Sequence, residues 1–138
     1  MAAPSAVAAD PWHFVVIRHP DTLKKLADAL PDGRHLAHAS VGILVCGESE
    51  RAHDGQLSYL LQDCAAATEN ILLAASLLGL GACWCGVHPR KERMDLARKL
   101  ADLPAGIVPV CIVALGWPAQ RPEARTRYRS GAVHQEHW

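Results

Sequence analysis

Neither sign of charge is in surplus in this chain. Its 14 Lys and Arg residues are matched by 14 Asp and Glu residues, so the formal net charge at pH 7 is zero. Proteins that bind nucleic acid usually carry a basic surplus or a basic patch. We therefore expect no nucleic-acid partner.

Targeting and membrane-spanning features are also missing. The segment from Met1 to Asp10 has no basic region and no long apolar run, although a secretory signal needs both. The longest uncharged run, from Ile71 to Val87, contains three glycines and ends in a strand-like pattern, which disfavours a spanning helix. Five cysteines, an odd number in a chain with few loops, predict free thiols in a reducing compartment. We expect a cytoplasmic protein without a membrane partner.

The chain lacks recognisable catalytic and metal-binding motifs. No catalytic triad or glycine-rich phosphate loop is present. Two His-x-x-His pairs, His35 with His38 and His134 with His137, have a spacing that a metal accepts. Neither pair is joined by Cys or carboxylate residues at zinc-site spacing. We therefore predict surface histidines, no metal site and no catalytic side chain.

Two further pairs of reactive side chains have simple structural explanations. Cys83 and Cys85 alternate along a predicted strand, so they lie on one of its faces, and no second cysteine pair completes a zinc site. We interpret them as packing residues. Asp63 and Glu69 do not share a helix face at a spacing of four. They fit a polar seam at a subunit interface better than an acid/base pair.

What the chain does have is a long apolar helix, predicted from Leu57 to Leu78. Its polar residues recur every seven positions and form one narrow stripe. These residues are Gln62, Glu69 and Ser76, with Asp63 and Asn70 beside them. At about 1.5 Å per residue the helix is roughly 34 Å long. A chain of 138 residues cannot easily surround it, so we expect burial on most sides and a second copy over part of it.

The end of this helix leads into a glycine-flanked strand. Gly79 is a natural stop, because glycine adopts left-handed backbone angles without strain. The residues from Ala82 to Val87 then alternate as a short strand. Gly81 and Gly86 remove side chains at its two ends, which lets backbone approach a ligand. Taken alone, these glycines also fit an ordinary connection between a helix and a strand.

Shorter elements flank the long helix. The predicted strands are His13–Arg18, Val41–Cys46 and Val108–Gly116. Two amphipathic helices are predicted, one capped by Asp21 and one beginning at Pro89. The segment from Trp117 onward is rich in Pro, Arg and polar residues, so it should not fold alone. Alternating strands and helices around a buried helix predict a mixed sheet with helices on both faces.

Three stretches of the chain share the motifs and the order of a known family. They are APSAVAADPWHFVVI, LSYLLQDCAAATENILLAASLLGLGACWCGV and VPVCIVALGWPAQRPEARTRYRSGAVHQEHW. Together they resemble the nitroreductase family of FMN-dependent NAD(P)H oxidoreductases over nearly the whole chain. That family begins with an arginine-rich helix and turn, which has no counterpart before Met1. We expect a chain truncated at its N-terminus relative to the family.

The resemblance implies a fold and an assembly. The fold is a single α+β domain over residues 1–138, with a mixed central sheet flanked by helices and a long buried central helix. The assembly is an intertwined homodimer, in which the C-terminal extension, residues 117–138, crosses onto the partner subunit.

The resemblance also implies an FMN site. It puts Pro4 and Ser5 beside the flavin and its ribityl chain. It puts the Trp84-Cys85-Gly86 backbone against one ring face, with an amide directed at the reactive nitrogen. It assigns Arg125 and Arg127 to the phosphate, although a solvated basic tail explains these arginines equally well. The flavin itself carries the electron transfer.

Two residues depart from the family pattern. Ala8 stands where the family has an Asn that commonly hydrogen-bonds the flavin. Asp10 replaces a Gln and adds a charge, which is unfavourable if it is buried without a partner. Two functions follow. One is an FMN-dependent oxidoreductase that passes hydride from NAD(P)H to a nitro compound, a quinone or a similar acceptor in a ping-pong cycle. The other is a degenerate, non-catalytic dimeric module with weak or no FMN binding.

Overall fold

The computed structural model describes residues 1–120, 123 and 125–138. Positions 121, 122 and 124, which belong to the predicted C-terminal extension, lie outside the described residues. The strands and α-helices of the described chain are, in order, β1 Trp12–Ile17, α1 Pro20–Asp28, β2 Val41–Glu48, α2 Leu57–Leu77, β3 Gly81–Gly86, α3 Lys91–Leu100 and β4 Ile107–Gly116. A short 3-10 turn, Arg34–His38, lies between α1 and β2.

The sheet has the order β1-β2-β4-β3, and its three described pairings are all antiparallel. The α+β class with flanking helices is confirmed, but the expected mixed pairing is wrong for these strands. The β2–α2–β3 connection does give two strands of the same direction. β4 then inserts between them and pairs with both in the opposite direction, which the alternation of strands and helices did not reveal.

Two helix starts differ from the sequence prediction. The N-cap of α1 is His19 rather than Asp21, and Pro20 occupies the first turn, where its missing N–H and fixed φ are tolerated. Asp21 lies inside that turn, where a negative charge complements the helix dipole. α3 begins at Lys91, two residues later than Pro89.

The two faces of the sheet bury two separate cores. Leu44 and Ile112 face α1, α3 and the Arg34–His38 turn. The neighbouring residues Val45 and Cys111 face α2, because successive side chains of a strand point to opposite faces. Both faces of β2 and β4 are therefore covered, and this explains why their sequences are almost continuously apolar.

One face of α2 packs on the sheet and the opposite face does not. Leu60, Cys64 and Ala67 of α2 are buried against the sheet. α2 comes so close that a Cβ added at Gly47 would lie 2.4 Å from Leu60 Cδ2, so glycine is required there. Leu77, by contrast, is 89% exposed. The predicted burial on most sides is therefore not reached within one chain. No helix of the described part is both long and apolar enough to cross a membrane.

Three buried thiols lie in the two cores, Cys46 on the face toward α1 and α3, and Cys64 and Cys111 on the face toward α2. All five cysteines of the chain have free thiols, and Cys46, Cys64 and Cys111 are fully buried. Thr68 Oγ1 lies 3.3 Å from Cys111 Sγ and donates a 2.7 Å hydrogen bond to the Cys64 carbonyl. Burial raises the pKa of Cys46 and Cys64 from 9.0 to about 12 and that of Cys111 to about 11.

These thiols should make the protein sensitive to alkali. The folded chain keeps their protons above pH 9, where the unfolded chain loses them, so stability is full below about pH 9 and falls above it. The free energy of unfolding, measured by urea denaturation, should fall by about 1.4 kcal/mol per pH unit for each thiol between about pH 9 and 11. Cys46→Ala removes one of these thiols, so it should reduce this slope by about 1.4 kcal/mol per pH unit. Ser58→Ala, at an exposed position without a thiol, should leave it unchanged. An equal slope in all three proteins would contradict the prediction.

Candidate functional site

The C-terminus of α2 sets the position of β3. Gly79 has a φ of 73°, and its N–H donates to the Ser76 carbonyl while the Leu80 N–H donates to the Ala75 carbonyl. This pair of bonds is a Schellman cap, which satisfies the last carbonyls of a helix and reverses the chain. The predicted stop at Gly79 is therefore confirmed, and β3 begins two residues later.

β3 presents different side chains on its two faces. Cys83 and Cys85 lie on the face toward α1 and α3, whereas Ala82, Trp84 and Gly86 lie on the opposite face. Trp84 is 40% exposed. A Cβ added at Gly86 would meet no atom within 4 Å, so the backbone there faces open space. The Trp84-Cys85-Gly86 segment thus offers accessible backbone beside an aromatic ring.

β3 is also an edge strand among the described residues, where its pairing partner is β4. In an antiparallel pair, alternate N–H and C=O groups point away from the partner, so the outer edge of β3 holds unpaired donors and acceptors. At its end, Arg93 of α3 donates a 3.0 Å hydrogen bond from a guanidinium N–H to the Gly86 carbonyl. Helical spacing in the sequence does not reveal this contact between Arg93 and a strand.

The Pro4–Ser5 loop is held by two carboxylates. Ser5 Oγ donates to Asp10 Oδ1 at 2.7 Å and accepts from the Asp10 N–H at 3.0 Å. Asp63 of α2 accepts a 2.9 Å bond from the Ala6 N–H. Asp10 is exposed and hydrogen-bonded, so its charge carries no burial penalty.

Asp63 is only 5% exposed, and its Oδ2 has no hydrogen-bond partner in the described chain. The interface seam predicted for Asp63 is therefore wrong, because this side chain is buried and tethers the loop.

The segment after Ser5 is strained. Val7, Ala8 and Asp10 have φ values of 47°, 55° and 49°, in the left-handed region that costs an L-residue about 1–2 kcal/mol. Strain of this kind persists only where surrounding contacts enforce it, and it concentrates at functional sites. Ala8 is the position where the resembled family has Asn, a residue that tolerates these angles better.

Arg125 and Arg127 make no hydrogen bond or ion pair with the other described residues of the predicted FMN site. Both are exposed. Neither makes a hydrogen bond or an ion pair with any other described residue. Within one chain they lie on an extension whose described residues beyond Pro118 are all exposed. Their assignment to a phosphate stays a prediction.

The structure joins one pair of reactive residues that the sequence kept apart. His35 Nε2 lies 3.4 Å from Cys85 Sγ. Cys85 is buried, as predicted for a packing residue, but Cys83 is exposed, so its assignment to packing is wrong. Fifty residues separate His35 from Cys85, and no local motif could have indicated the contact.

The two halves of the predicted FMN site lie at opposite edges of the sheet. Pro4 and Ser5 lead into β1, which forms one edge, while Trp84 and Gly86 belong to β3 at the other. With neighbouring strands about 4.8 Å apart, these edges are about 14 Å from each other. No hydrogen bond within residues 1–120 links the Pro4–Ser5 loop to β3.

Comparison with known proteins identifies the family. The model of the "Nitroreductase family" matches residues 31–117. A protein of Archaeoglobus fulgidus, provisionally named an NADH dehydrogenase/NAD(P)H nitroreductase, is 44% identical over 144 residues, which span all of this chain and 80% of that protein. The chain belongs to the nitroreductase family.

Solved structures agree with this nitroreductase membership. A Bacteroides thetaiotaomicron protein of the same provisional name has a TM-score of 0.93 and 38% identity, over 100% of this chain and 79% of its own. A provisionally named nitroreductase of Desulfovibrio desulfuricans, solved in complex with FMN, has a TM-score of 0.78 and 31% identity, over 99% of this chain and 78% of its own. This nitroreductase-family chain is therefore an oxidoreductase. The family match includes β3, whereas Pro4, Ser5 and the two late arginines lie outside it.

The strained backbone of the loop after Ser5 can be tested by measuring stability. Ala8→Gly should raise the free energy of unfolding by about 1 kcal/mol, because glycine adopts the left-handed angles at Ala8 without the steric cost. The matched control is Ala9→Gly, since Ala9 has right-handed angles of −74° and −25°. It should lower stability by about 0.5–1 kcal/mol. Chemical denaturation measures both, and a destabilised Ala8→Gly protein would show that the loop is not strained.

Proposed function

We propose that this nitroreductase binds FMN along the outer edge of β3 and uses it to reduce a small acceptor with electrons from NAD(P)H. The observation that carries the proposal is the open, side-chain-free space in front of Gly86 on an edge strand with unpaired backbone donors. A planar ring needs such a slot, because a side chain there would hold it away from the backbone. The solved relative in complex with FMN supports the same cofactor.

Each part of the chain has a separate task in this proposal. The backbone of Trp84, Cys85 and Gly86 lies against the ring, the N–H groups among them that point away from β4 donate hydrogen bonds to it, and the exposed Trp84 side chain shields part of it from water. Arg93 holds the Gly86 carbonyl in place and adds a positive charge at the end of β3. Cations near a flavin ring favour its reduced, anionic form. The residues present therefore fit a flavin.

FMN, when bound, supplies the hydride chemistry, and the chain supplies the binding and the orientation. NAD(P)H and the acceptor use the same open face in turn, which gives a ping-pong cycle. Nitro compounds and quinones are the acceptor classes, because both accept electrons from a reduced flavin without a protein nucleophile. No side chain of the site is assigned a covalent role.

We also propose that the working unit is a homodimer. Leu73 and Leu77 of α2 and the adjoining Leu78 are exposed, and exposed apolar patches of this kind mark interaction sites. In the C-terminal extension, Trp117, Tyr128 and Trp138 are exposed as well. A second copy that covers both surfaces would bring the Pro4–Ser5 loop of one chain toward β3 of the other. The five free thiols favour a reducing compartment, and we propose the cytoplasm.

The ring slot can be tested at Gly86. Gly86→Val should weaken FMN binding by about tenfold to a hundredfold or more, because the branched side chain fills the slot. The fold should survive, since the added atoms meet open space. The control is Ala82→Val, on the same face of β3 and about 13 Å away. Flavin fluorescence quenching gives the affinities, and NADH oxidation gives the activity. Unchanged FMN binding in Gly86→Val would exclude this slot, and no saturable binding by the unmodified chain would support the non-catalytic module.

The phosphate assignment can be tested by comparing two flavins. Arg125→Ala or Arg127→Ala should weaken FMN binding by about 1.5–3 kcal/mol, or roughly tenfold to a hundredfold, because each removes a charged hydrogen bond. Riboflavin has no phosphate, so its affinity should hardly change. Arg129→Ala, also exposed in the extension, is the control. Equal losses for both flavins would mean that these arginines do not bind the phosphate.

A further inference from the structure

A second cluster of reactive groups lies on the other face of β3, away from the FMN slot. His35, Cys83 and Cys85 bring one imidazole nitrogen and two sulfurs within 4.8 Å of one another. Strand alternation points both sulfurs to the same side. The proposed function does not use these side chains, so the cluster calls for its own explanation.

The fold holds His35 at this position. Gly33, which precedes the Arg34–His38 turn, is packed so tightly that a Cβ there would lie 2.8 Å from Leu30 Cβ and 3.5 Å from Cys85 Sγ. Leu36 in the same turn is fully buried. The turn is therefore anchored on both sides of His35. As a result His35 Nε2 approaches Cys85 Sγ to 3.4 Å.

The spacing of the three atoms suits tetrahedral zinc. With Zn–S bonds of about 2.3 Å and Zn–N bonds of about 2.0–2.1 Å, ligand atoms lie about 3.5 Å apart for nitrogen and sulfur and about 3.8 Å apart for two sulfurs. The observed 3.4 Å between His35 and Cys85 matches the first value. The two sulfurs are at most 4.8 Å apart. A shift of about 1 Å would bring them to the sulfur–sulfur distance of about 3.8 Å. Rotation of the exposed Cys83 side chain supplies such a shift.

We propose that His35, Cys83 and Cys85 bind one Zn²⁺ ion. Thiolate and imidazole are ligands that zinc prefers, and three protein ligands leave the fourth tetrahedral position to water. Two S–H bonds break as two Zn–S bonds form, the two protons pass to the buffer, and no electron is transferred. The ion cross-links the Arg34–His38 turn to the edge strand β3, so its binding stabilises the folded chain.

The site is independent of the FMN proposal. Its side chains point to the face of β3 opposite Trp84 and Gly86, and neither FMN nor NAD(P)H takes part in metal binding. The test therefore uses the full chain without added flavin. Failure of zinc binding can therefore be distinguished from failure of FMN binding.

The experiment titrates Zn²⁺, and in parallel Co²⁺, into reduced metal-free protein. Calorimetry gives the stoichiometry and affinity, and a pH indicator counts the released protons. Co²⁺ reports its ligands directly, because cobalt–thiolate charge-transfer absorption requires a sulfur ligand. The variants are His35→Ala and Cys83→Ser, both at exposed positions. The control is His38→Ala, an exposed histidine of the same turn.

We expect one zinc per chain, release of up to two protons, thiolate absorption with Co²⁺ and a higher thermal midpoint with Zn²⁺. His35→Ala and Cys83→Ser should each weaken binding by at least about tenfold, and His38→Ala should bind as the unmodified chain does. Loss of binding in His38→Ala alone, unchanged binding in both ligand variants, or no stoichiometric binding by the reduced chain would overturn the proposal. A stable Cys83–Cys85 disulfide under reducing conditions would do the same.

Discussion

The packing of α2 against one face of the sheet determines where β3 and the apolar surface of the chain lie. The helix crosses one face, and Gly47 permits its close approach beside Leu60. Its Schellman cap then turns the chain at Gly79 into β3. Because β4 fills the space between β2 and β3, β3 becomes an edge with open backbone. The same packing leaves Leu77 and its apolar neighbours uncovered.

The two features that α2 creates are an accessible strand edge and an uncovered apolar face, and both favour an oxidoreductase built from two copies. In the proposed function, the edge would supply backbone donors to a flat cofactor. In the proposed dimer, the uncovered face would bring in a second chain with its own strained loop, which Asp63 holds at Ala6. Strain in that loop is tolerated because its hydrogen bonds fix it from two directions. The strained loop thus lowers the stability of the folded chain at a place where the proposed flavin site needs a fixed backbone shape.

Local sequence patterns predicted much of the fold, but they did not predict the contacts between residues far apart in the sequence. The α+β class, the long helix and the stop at Gly79 follow from periodicity and from glycine's backbone freedom, which act within a few residues. The insertion of β4 between β2 and β3 depends on pairing across the chain, so it was missed. The burial of Asp63 beneath the loop and the approach of His35 to Cys85 are tertiary contacts that no spacing encodes. The flavin roles of Trp84, Cys85 and Gly86 in β3 stay predictions, as do those of Arg125 and Arg127, because contacts within one chain do not reveal a ligand.

In the proposed dimer, one flavin site combines the Pro4–Ser5 loop of one chain with β3 of the other. The direct measurement is FMN binding by hybrid dimers, purified with two tags, that pair an Asp63→Ala chain with a Gly86→Val chain. Asp63→Ala releases the loop, so each parental dimer should bind FMN poorly. A hybrid has one site with both defects and one site with none, so we expect one tightly bound FMN per hybrid dimer. A hybrid that binds no better than its parents, or a chain that stays monomeric at micromolar concentration, would contradict it.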